Sequence, residues 1–422
     1  MHLGKRMTMI LAGFIGNVVE WYDFAVYGYM AGILSTLFFP SEDSVASLIA
    51  TYGVFAAGFI MRPIGSGVFG WLGDTIGRSR TMFISVTLMV IPTFLLGCLP
   101  TYQQVGIAAP VLLVVIRLVQ GLSVGGEFSS SVTYLVETAE PGRRGLSGSW
   151  ANTGSIFGMM MGAGVSALVT STMSADSLNE WGWRLPFLFG GIIGTVSILM
   201  RRHLPRSRHF QRHHDERADT SPLLEAFTTN RREMILAIIF ASAYGVLFYL
   251  PLVYLPEWLH SETGMDLDRA LQINTAATAL LLLLIPVSGW IGDHLLRRTR
   301  FIALTMLLLA LTGWPLYQWL ETGGLAAAMV VQTILIVFIA VPLGSAPAMF
   351  VELFPARDRL SGYSVAYNLG LGVIGGTTPM LSTWLIHRSG HATAPALYLV
   401  FMAGIAFIAL LLIRDRSREP LR

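Results

Sequence analysis

Charge is scarce in this chain. Only 13% of its 422 residues are Asp, Glu, Lys or Arg, while 54% are hydrophobic. A soluble domain carries about 25% charged residues, so most of this surface must face lipid. Cysteine is scarcer still. Cys98 stands alone, which excludes an intramolecular disulfide and any cysteine-based metal site. Histidine is missing where it would matter most. His2, His203, His209, His213, His214, His260, His294, His387 and His391 all fall in loops, termini or helix ends. Histidine is therefore not expected to carry a proton across the membrane, despite its convenient pKa. The cluster at 203–214 lacks regular ligand spacing and reads as a solvated linker, with no metal expected. A signal peptide is excluded as well. Lys5-Arg6 precede an apolar run, but Glu20 and Asp23 interrupt it and no small-residue cleavage pattern follows. No Gly-x-Ser-x-Gly pattern or His/Cys constellation lies at membrane depth, which speaks against an enzyme. No soluble signalling domain is evident, which speaks against a sensor.

What is present is a series of apolar runs. A membrane helix needs about 20 such residues. Twelve runs qualify: 9–38, 46–72, 81–99, 106–136, 147–172, 184–202, 233–259, 268–291, 301–319, 325–351, 361–387 and 394–413. The expected fold class is all-α and membrane-embedded. One long polar interval divides the chain into a first bundle (1–202), a linker (203–232), a second bundle (233–413) and a tail (414–422). A surface helix is expected at Ser221–Phe227. With the N-terminus, the even-numbered loops and the tail on one side, that side holds 23 of the 28 Lys and Arg residues. The positive-inside rule makes it cytoplasmic, with both termini there.

Two stretches recur. Gly70-Trp-Leu-Gly73-Asp74-Thr-Ile-Gly77-Arg78-Ser-Arg80 returns as Gly289-Trp-Ile-Gly-Asp293-His-Leu-Leu-Arg297-Arg298, 219 residues later. Glu137, Pro141, Arg143 and Leu-Ser-Gly148 are echoed by Glu352, Pro355, Arg357 and Leu-Ser-Gly362. In the first loop Gly70 and Gly73 allow two helix ends to approach, Gly77 permits the turn, and Asp74 lies within reach of Arg78 and Arg80. Leu296 replaces the turn glycine in the second copy, so that loop is expected to be looser. Parallel repeats of membrane helices are a transporter signature.

The Gly70–Arg80 stretch resembles the loop between the second and third helices of the major facilitator superfamily. Three more stretches resemble its metabolite:H+ symporter branch: Gly16-Asn-Val-Val-Glu-Trp-Tyr-Asp-Phe24, Arg117-Leu-Val-Gln-Gly-Leu-Ser-Val-Gly-Gly-Glu127 and Trp181-Gly-Trp-Arg-Leu-Pro-Phe187. The likeness covers nearly the whole chain. It implies two pseudo-symmetric six-helix bundles that rock about a central site in an inner membrane. The driving force would be the proton gradient, with no cofactor. The expected partners are a small solute, protons and the lipid bilayer. No nucleic acid is expected, and the chain should be a monomer. The fourth-helix stretch resembles the dicarboxylate branch, whereas Gly148–Gly158 with Gly162–Val165 resembles the proline/betaine branch. That second branch typically ends in a coiled coil linked with osmosensing. This chain ends nine residues after Ile413, and no such role is expected. The reading favours a small organic acid, then a zwitterion such as proline or betaine, then drug export.

The site residues follow from what should not lie in a membrane. A charge near the bilayer centre costs about 2.5–3.5 kcal/mol on insertion scales and usually faces a cavity and a partner. Asn17, Glu20, Asp23 and Tyr27 share a stripe of about 120° on the first helix, with Trp21 on another face. One reading has Glu20 and Asp23 only supporting structural hydrogen bonds. In the other, a carboxylate exchanged between a dry environment and an arginine loads and releases a proton. Arg117 and Glu127 join this coupling set, Arg117 because it matches the superfamily arginine associated with coupling. Arg62 lies twelve residues before Asp74, about 18 Å along its helix; the family that this chain resembles carries its Arg-Pro-Ile/Leu-Gly sequence broadly, which implies a structural or coupling role as much as substrate binding. Tyr27, Trp150, Asn152, Tyr244, Phe248, Tyr363, Tyr367 and Asn368 lie on helices whose family counterparts line the central path. There they would bind substrate or simply pack. Aromatic rings can hold a quaternary ammonium, and amides or hydroxyls can orient a carboxylate. Asp74, Arg78 and Asp293 are expected to latch the halves on the cytoplasmic side. Gly70, Gly73, Gly77, Arg80, Glu137, Arg297 and Glu352 complete the gating set.

Overall fold

The computed structural model describes residues 3–41, 44–202, 204 and 221–421, without the side chains of 3–6, 44–46, 48, 49, 52, 55 and 56. His2 and the histidine-rich first part of the linker, 203–220, apart from Leu204, lie outside the described residues. Twelve long helices follow in order among those described. They are α1 (Leu3–Phe38), α2 (Ser44–Thr75), α3 (Arg78–Cys98), α4 (Ala108–Glu137), α5 (Arg144–Thr172) and α6 (Arg184–Arg202), then α7 (Arg231–Thr263), α8 (Leu267–His294), α9 (Arg298–Thr322), α10 (Gly324–Leu353), α11 (Arg359–Ser389) and α12 (Ala394–Leu412). They coincide with the twelve apolar runs. Eleven are apolar and long enough to cross a bilayer, and the other, α2, has 32 residues. Such helices satisfy their own backbone groups, which a bilayer core demands. The surface helix Pro222–Thr228 lies one residue beyond its expected place.

α1–α6 pack into one bundle and α7–α12 into another. Across the divide α2 and α4 meet α11, while α5 meets α8 and α10. The contacts concentrate at the end bearing the repeated loops, here called the latch end. Close approach there depends on missing side chains. A Cβ on Gly145 would lie 2.5 Å from the Gly289 carbonyl oxygen, and one on Gly70 would lie 2.8 Å from Ser361 Cα.

Two helices break their regular winding at mid-depth. α7 passes through a π-helical turn at Leu250–Tyr254 and α11 through another at Asn368–Gly375. In α7, Pro256 has no N–H to offer the carbonyls one turn earlier, so those of Pro251 and Leu252 need other donors. Gln332 on α10 donates to the Pro251 carbonyl at 3.0 Å, and Asn274 on α8 donates to that of Leu252 at 3.0 Å. Buried amides thus hold an irregular backbone inside the membrane.

The outer faces are apolar stripes. Ile60, Ile64, Val68 and Trp71 on α2 are exposed at helical spacing, as are Val373, Met380 and Trp384 on α11. In a membrane these stripes meet hydrocarbon. Trp71 and Trp290, equivalent in the two repeats, sit exposed near helix ends, where an indole suits the lipid–water interface.

Candidate functional site

Three buried ion pairs cross the interior of the first bundle. Asp23 on α1 accepts from Arg117 on α4 at 2.6 Å, from Thr93 on α3 at 3.0 Å and from Gln120 on α4 at 3.1 Å. Arg117 also lies 3.8 Å from the centre of the Tyr27 ring, and the Tyr27 hydroxyl donates to the Thr51 carbonyl. Glu127 on α4 pairs with Arg201 on α6 at 2.5 Å and accepts from Ser85 on α3. Arg201 further donates to the carbonyls of Ala12 and Met82. This engages Arg201 within the bundle, although its place at a helix end had counted it as a topology charge. The helix stripe accounts for these pairs, since α1 turns Asn17, Glu20, Asp23 and Tyr27 inward. Asn17 donates to Ser131 on α4 at 2.8 Å, so it holds α1 against α4.

Polar atoms without a hydrogen bond remain in all three pairs, among them Nε and Nη2 of Arg117, Oε1 of Glu127 and Nη2 of Arg201, but the third pair is the one that reaches the second bundle. Glu20 meets Arg62 of α2 at 3.2 Å, and both are buried. Each keeps unused polar atoms: Oε2 of Glu20, and Nε and Nη1 of Arg62. The indole N–H of Trp21 is also buried without a hydrogen-bond partner, and the buried Tyr249 hydroxyl faces Arg62. These groups form one cluster. Arg62 lies 5.6 and 5.3 Å from the ring centres of Phe24 and Phe59. Trp21 meets Phe24 at 6.0 Å and, across the divide, Phe248 of α7 at 5.4 Å. Phe248 in turn edges onto Tyr249 at 5.3 Å, whose hydroxyl lies within electrostatic reach of Arg62 and Glu20. Buried polar atoms are ordinarily satisfied. Unsatisfied donors and one unsatisfied acceptor converging between the halves mark a place built to receive something. Trp21, Phe24, Phe59 and Tyr249 were not singled out in the sequence. The stripe argument turned Trp21 away from the polar face, and that other face is the one that meets α7.

Several expected cavity residues are instead engaged across the divide. Asn152 on α5 donates to the Tyr244 hydroxyl at 2.9 Å and to the Leu343 carbonyl at 2.7 Å. Asn368 on α11 donates to the Gly125 carbonyl at 2.8 Å, and Tyr367 stacks on Phe128 at 4.8 Å. Tyr363 stacks on Phe350 at 5.2 Å. Trp150, half-buried, edges onto Phe14 at 6.3 Å.

At the latch end the two repeats make mirrored clasps. Asp74 accepts from the backbone N–H groups of Leu360 and Ser361 at 3.2 and 2.8 Å, capping the start of α11. Asp293 accepts from Gly145 and Leu146 at 2.7 and 2.8 Å, capping the start of α5. A carboxylate at a helix N-terminus meets free N–H groups and the positive end of the helix dipole. Each aspartate also holds an arginine of its own half, Arg78 at 3.1 Å and Arg298 at 2.6 Å. Those arginines reach Glu137 and Glu352, which also take Arg359 and Arg144 from the opposite half at 2.9 and 2.7 Å. Arg78 donates as well to the Ala356 carbonyl across the divide at 2.9 Å. Arg144 additionally donates to the Glu419 carbonyl, so the tail touches the clasp.

Here the structure corrects the sequence reading in detail. Arg297 is not in the second clasp; Arg298 is. Gly77 turns the first loop at φ +99°, in two residues between α2 and α3. Leucines cannot adopt that conformation cheaply, so the second loop spends three residues, Leu295 to Arg297, and shifts the pairing by one. It is longer, but its Asp–Arg contact is not looser. Arg80 is exposed and makes no ion pair among the described residues. The arginines of the second echo, Arg143 and Arg357, bind Glu140 and Glu225 at the surface. Arg144 and Arg359 do the clasping, and they are related by the same 215-residue spacing as Glu137 and Glu352. That spacing was the available signal.

Comparison with known proteins agrees with this architecture. Residues 8–233 match the family model described as sugar (and other) transporter, and residues 252–422 match that of the major facilitator superfamily. A proline/betaine transporter of Salmonella typhimurium is 33% identical, over 99% of this chain and 85% of its own length. A citrate-proton symporter of Klebsiella pneumoniae is 33% identical, over 99% and 94%. An alpha-ketoglutarate permease of Escherichia coli K12 is 33% identical, over 98% and 95%. Among solved structures, the proton:xylose symporter XylE superposes with a TM-score of 0.77 at 18% identity, covering 98% of this chain and 96% of that one. Paired bundles, a repeated loop that clasps them and relatives matched almost end to end leave one assignment: this chain is a membrane transporter, not an enzyme, and belongs to the metabolite:H+ symporter branch of the major facilitator superfamily.

Proposed function

We propose that this protein imports a small carboxylate-bearing solute together with protons, by alternating access across an inner membrane. The latch end would be cytoplasmic, by the placement of Lys and Arg. The observation that carries the reading is the Glu20–Arg62 pair. It lies at the junction of the two halves, with unused polar atoms and a wall of aromatic rings. Arg62 turns Nε and Nη1, beside the Tyr249 hydroxyl, towards a carboxylate, and charge-assisted bonds of this kind are the strong ones. Rocking of the halves about this level would expose the site alternately to each side.

The charge balance at the junction favours a zwitterion over an acid with several carboxylates. One guanidinium and one carboxylate face it, so a second substrate carboxylate would meet Glu20 rather than a cation. A cationic nitrogen would meet Glu20 and the rings of Trp21, Phe24 and Phe248. Glu20 then balances the cationic nitrogen as Arg62 balances the carboxylate, and Asp23, held by Arg117 outside that contact, takes the proton. An organic acid remains the second reading. The substrate carboxylate would take Arg62, and a proton on Glu20 would restore neutrality. The relatives carry both kinds of name, proline/betaine and citrate or alpha-ketoglutarate.

Transport in proteoliposomes separates the two. One proton with a zwitterion moves one positive charge, worth about 2.3 kcal/mol at 100 mV, whereas one proton with a monoanion moves none. Proline or betaine should stabilise the purified protein in a thermal-shift screen, and an imposed inside-negative potential should drive their uptake at equal pH. Stabilisation by citrate or alpha-ketoglutarate alone would reverse the order of the two readings. No accumulation of any of these solutes under either gradient would refute proton-coupled import itself.

A further inference from the structure

A second cavity lies beside the transport site and opens sideways. It holds about 550 Å³ and is walled by Phe59, Ile60 and Pro63 of α2 and by Gly372, Val373 and Thr377 of α11. Tyr249 and Val253 of α7 form its floor. The size falls within the roughly 300–1,000 Å³ range of ligand pockets. Its rims are the lipid-facing stripes already described: Ile60 continues to Ile64 along α2, and Val373 continues to Met380 along α11. All three helices are at mid-depth here, and both π-helical turns border it. From Phe240 to Pro256 every other residue of α7 is buried, so Val253, 44% exposed, is out of place unless something covers it. The floor is thin. Tyr249 and Phe59 also belong to the cluster around Arg62, so one layer of side chains separates this crevice from the charged pair.

We propose that the crevice between α2, α7 and α11 is a binding site for an acyl chain of a bilayer lipid. The chain would seal the flank of the transport site while the halves are clasped at the latch end. The medium at this depth, between two lipid-facing stripes, is hydrocarbon, and the lining residues offer an acyl chain apolar contact on three sides. A polar solute entering by the same gap would lose hydration with almost no hydrogen bonds in return. Because α2 belongs to one half and α7 and α11 to the other, rocking must reshape the crevice. A ligand that touches both walls binds the clasped arrangement better than any arrangement that parts them, and so shifts the population towards it. The lipid then acts as a state-specific partner and not merely as solvent.

Photolabelling in liposomes tests this. The full chain is reconstituted in phosphatidylcholine carrying a diazirine near the acyl terminus, irradiated and mapped by mass spectrometry. Adducts are expected on Val253 as well as on the open stripe residues Ile64 and Met380. A Cβ at Gly372 meets no atom within 4 Å, so Gly372→Leu should fill the crevice without a backbone clash. In that variant the Val253 adduct should fall to the level of an unirradiated sample while Ile64 and Met380 still label. Val373→Phe, which narrows the mouth from the rim, should act in the same direction. Labelled stripes with an unlabelled Val253 in the unsubstituted protein would overturn the proposal, and so would a Val253 adduct that survives both substitutions. If one variant fails to insert, the unsubstituted protein and the other variant still decide.

Discussion

Glu20 and Asp23 lie three residues apart on one helix, yet their surroundings assign them different work. Asp23 takes three hydrogen bonds inside the first bundle, whereas Glu20 takes one, from Arg62, and keeps an oxygen free at the junction. Glu20→Gln should therefore weaken substrate binding by about ten- to a hundredfold, the equivalent of one charged hydrogen bond of about 1.5–3 kcal/mol. Asp23→Asn should leave binding within a few-fold but abolish uphill uptake driven by a pH gradient. Calorimetric titration and proteoliposome uptake read the two separately, and exchanged phenotypes would assign the proton to Glu20. Asp358, outside the membrane-spanning segments, gives a pH prediction. Burial, then the nearby Asp74 and Glu225 charges, push its carboxyl up to about 7, against relief from Asn230 and Arg357. Its ordinary value is 3.8, so between about 4 and 7 the clasped protein holds a proton that an opened or unfolded one releases. Stability from this group is fully present below its ordinary pKa and is lost as pH rises through about 7. Unfolding midpoints in detergent should fall over that window, and Asp358→Asn should flatten the fall; an unchanged slope would remove Asp358 from the account.

At the scale of elements, the clasp works because each half lends an aspartate to the first turn of a helix in the other. α11 begins at Asp74 and α5 at Asp293, so neither helix start is satisfied unless the halves meet. A carboxylate at a helix N-terminus contributes up to about 2 kcal/mol in a partly buried setting, enough to move an equilibrium by roughly 5–30-fold. Asp74→Asn should shift the protein towards states open at the latch end by that order. Ser361 offers a gauge, since it is buried at the clasp against Asp74. In a Cys98→Ser background, Ser361→Cys should react with a small thiol reagent several-fold faster once Asp74→Asn is added, and transport should drop. Equal rates would mean that Asp74 serves only to orient the chain. The π-helical turns in α7 and α11 border both the junction and the lateral crevice, which places the least regular backbone where the two halves must rearrange.

For the whole molecule, charges and rings are divided between the halves. Among the described residues, the ion pairs at membrane depth lie in the first bundle, while Tyr244, Phe248, Tyr249, Tyr363 and Tyr367 are buried in the second. One bundle thus holds the groups able to exchange protons, and the other presents a polarizable wall that can move against them without stranding a charge. The orientation of this assembly is testable through the linker. Ser221, exposed at the start of the surface helix, should label as Ser221→Cys with an impermeant thiol reagent in inverted vesicles but not in intact cells, again with Cys98→Ser. The reverse pattern would turn the protein over.

The amino-acid sequence by itself determined the twelve helices, their division by a polar linker and the paired loops. Those depend on hydrophobic run length and local repetition, which are properties of neighbours along the chain. It also marked Glu20, Asp23, Arg62 and Arg117 as misplaced charges, because the cost of a charge in lipid holds whatever its partner. Which charge meets which was not legible. Glu127 finds Arg201 from a helix end, and Arg298 replaces Arg297 because a two-leucine turn needs one more residue than a glycine turn. Tertiary structure alone decided that Asn152 and Asn368 hold the halves together. It decided too that Trp21 and Tyr249, from faces with no polar pattern, close the junction around Arg62. Such contacts join different helices, most of them tens to hundreds of positions apart, where no periodicity along one helix can reach.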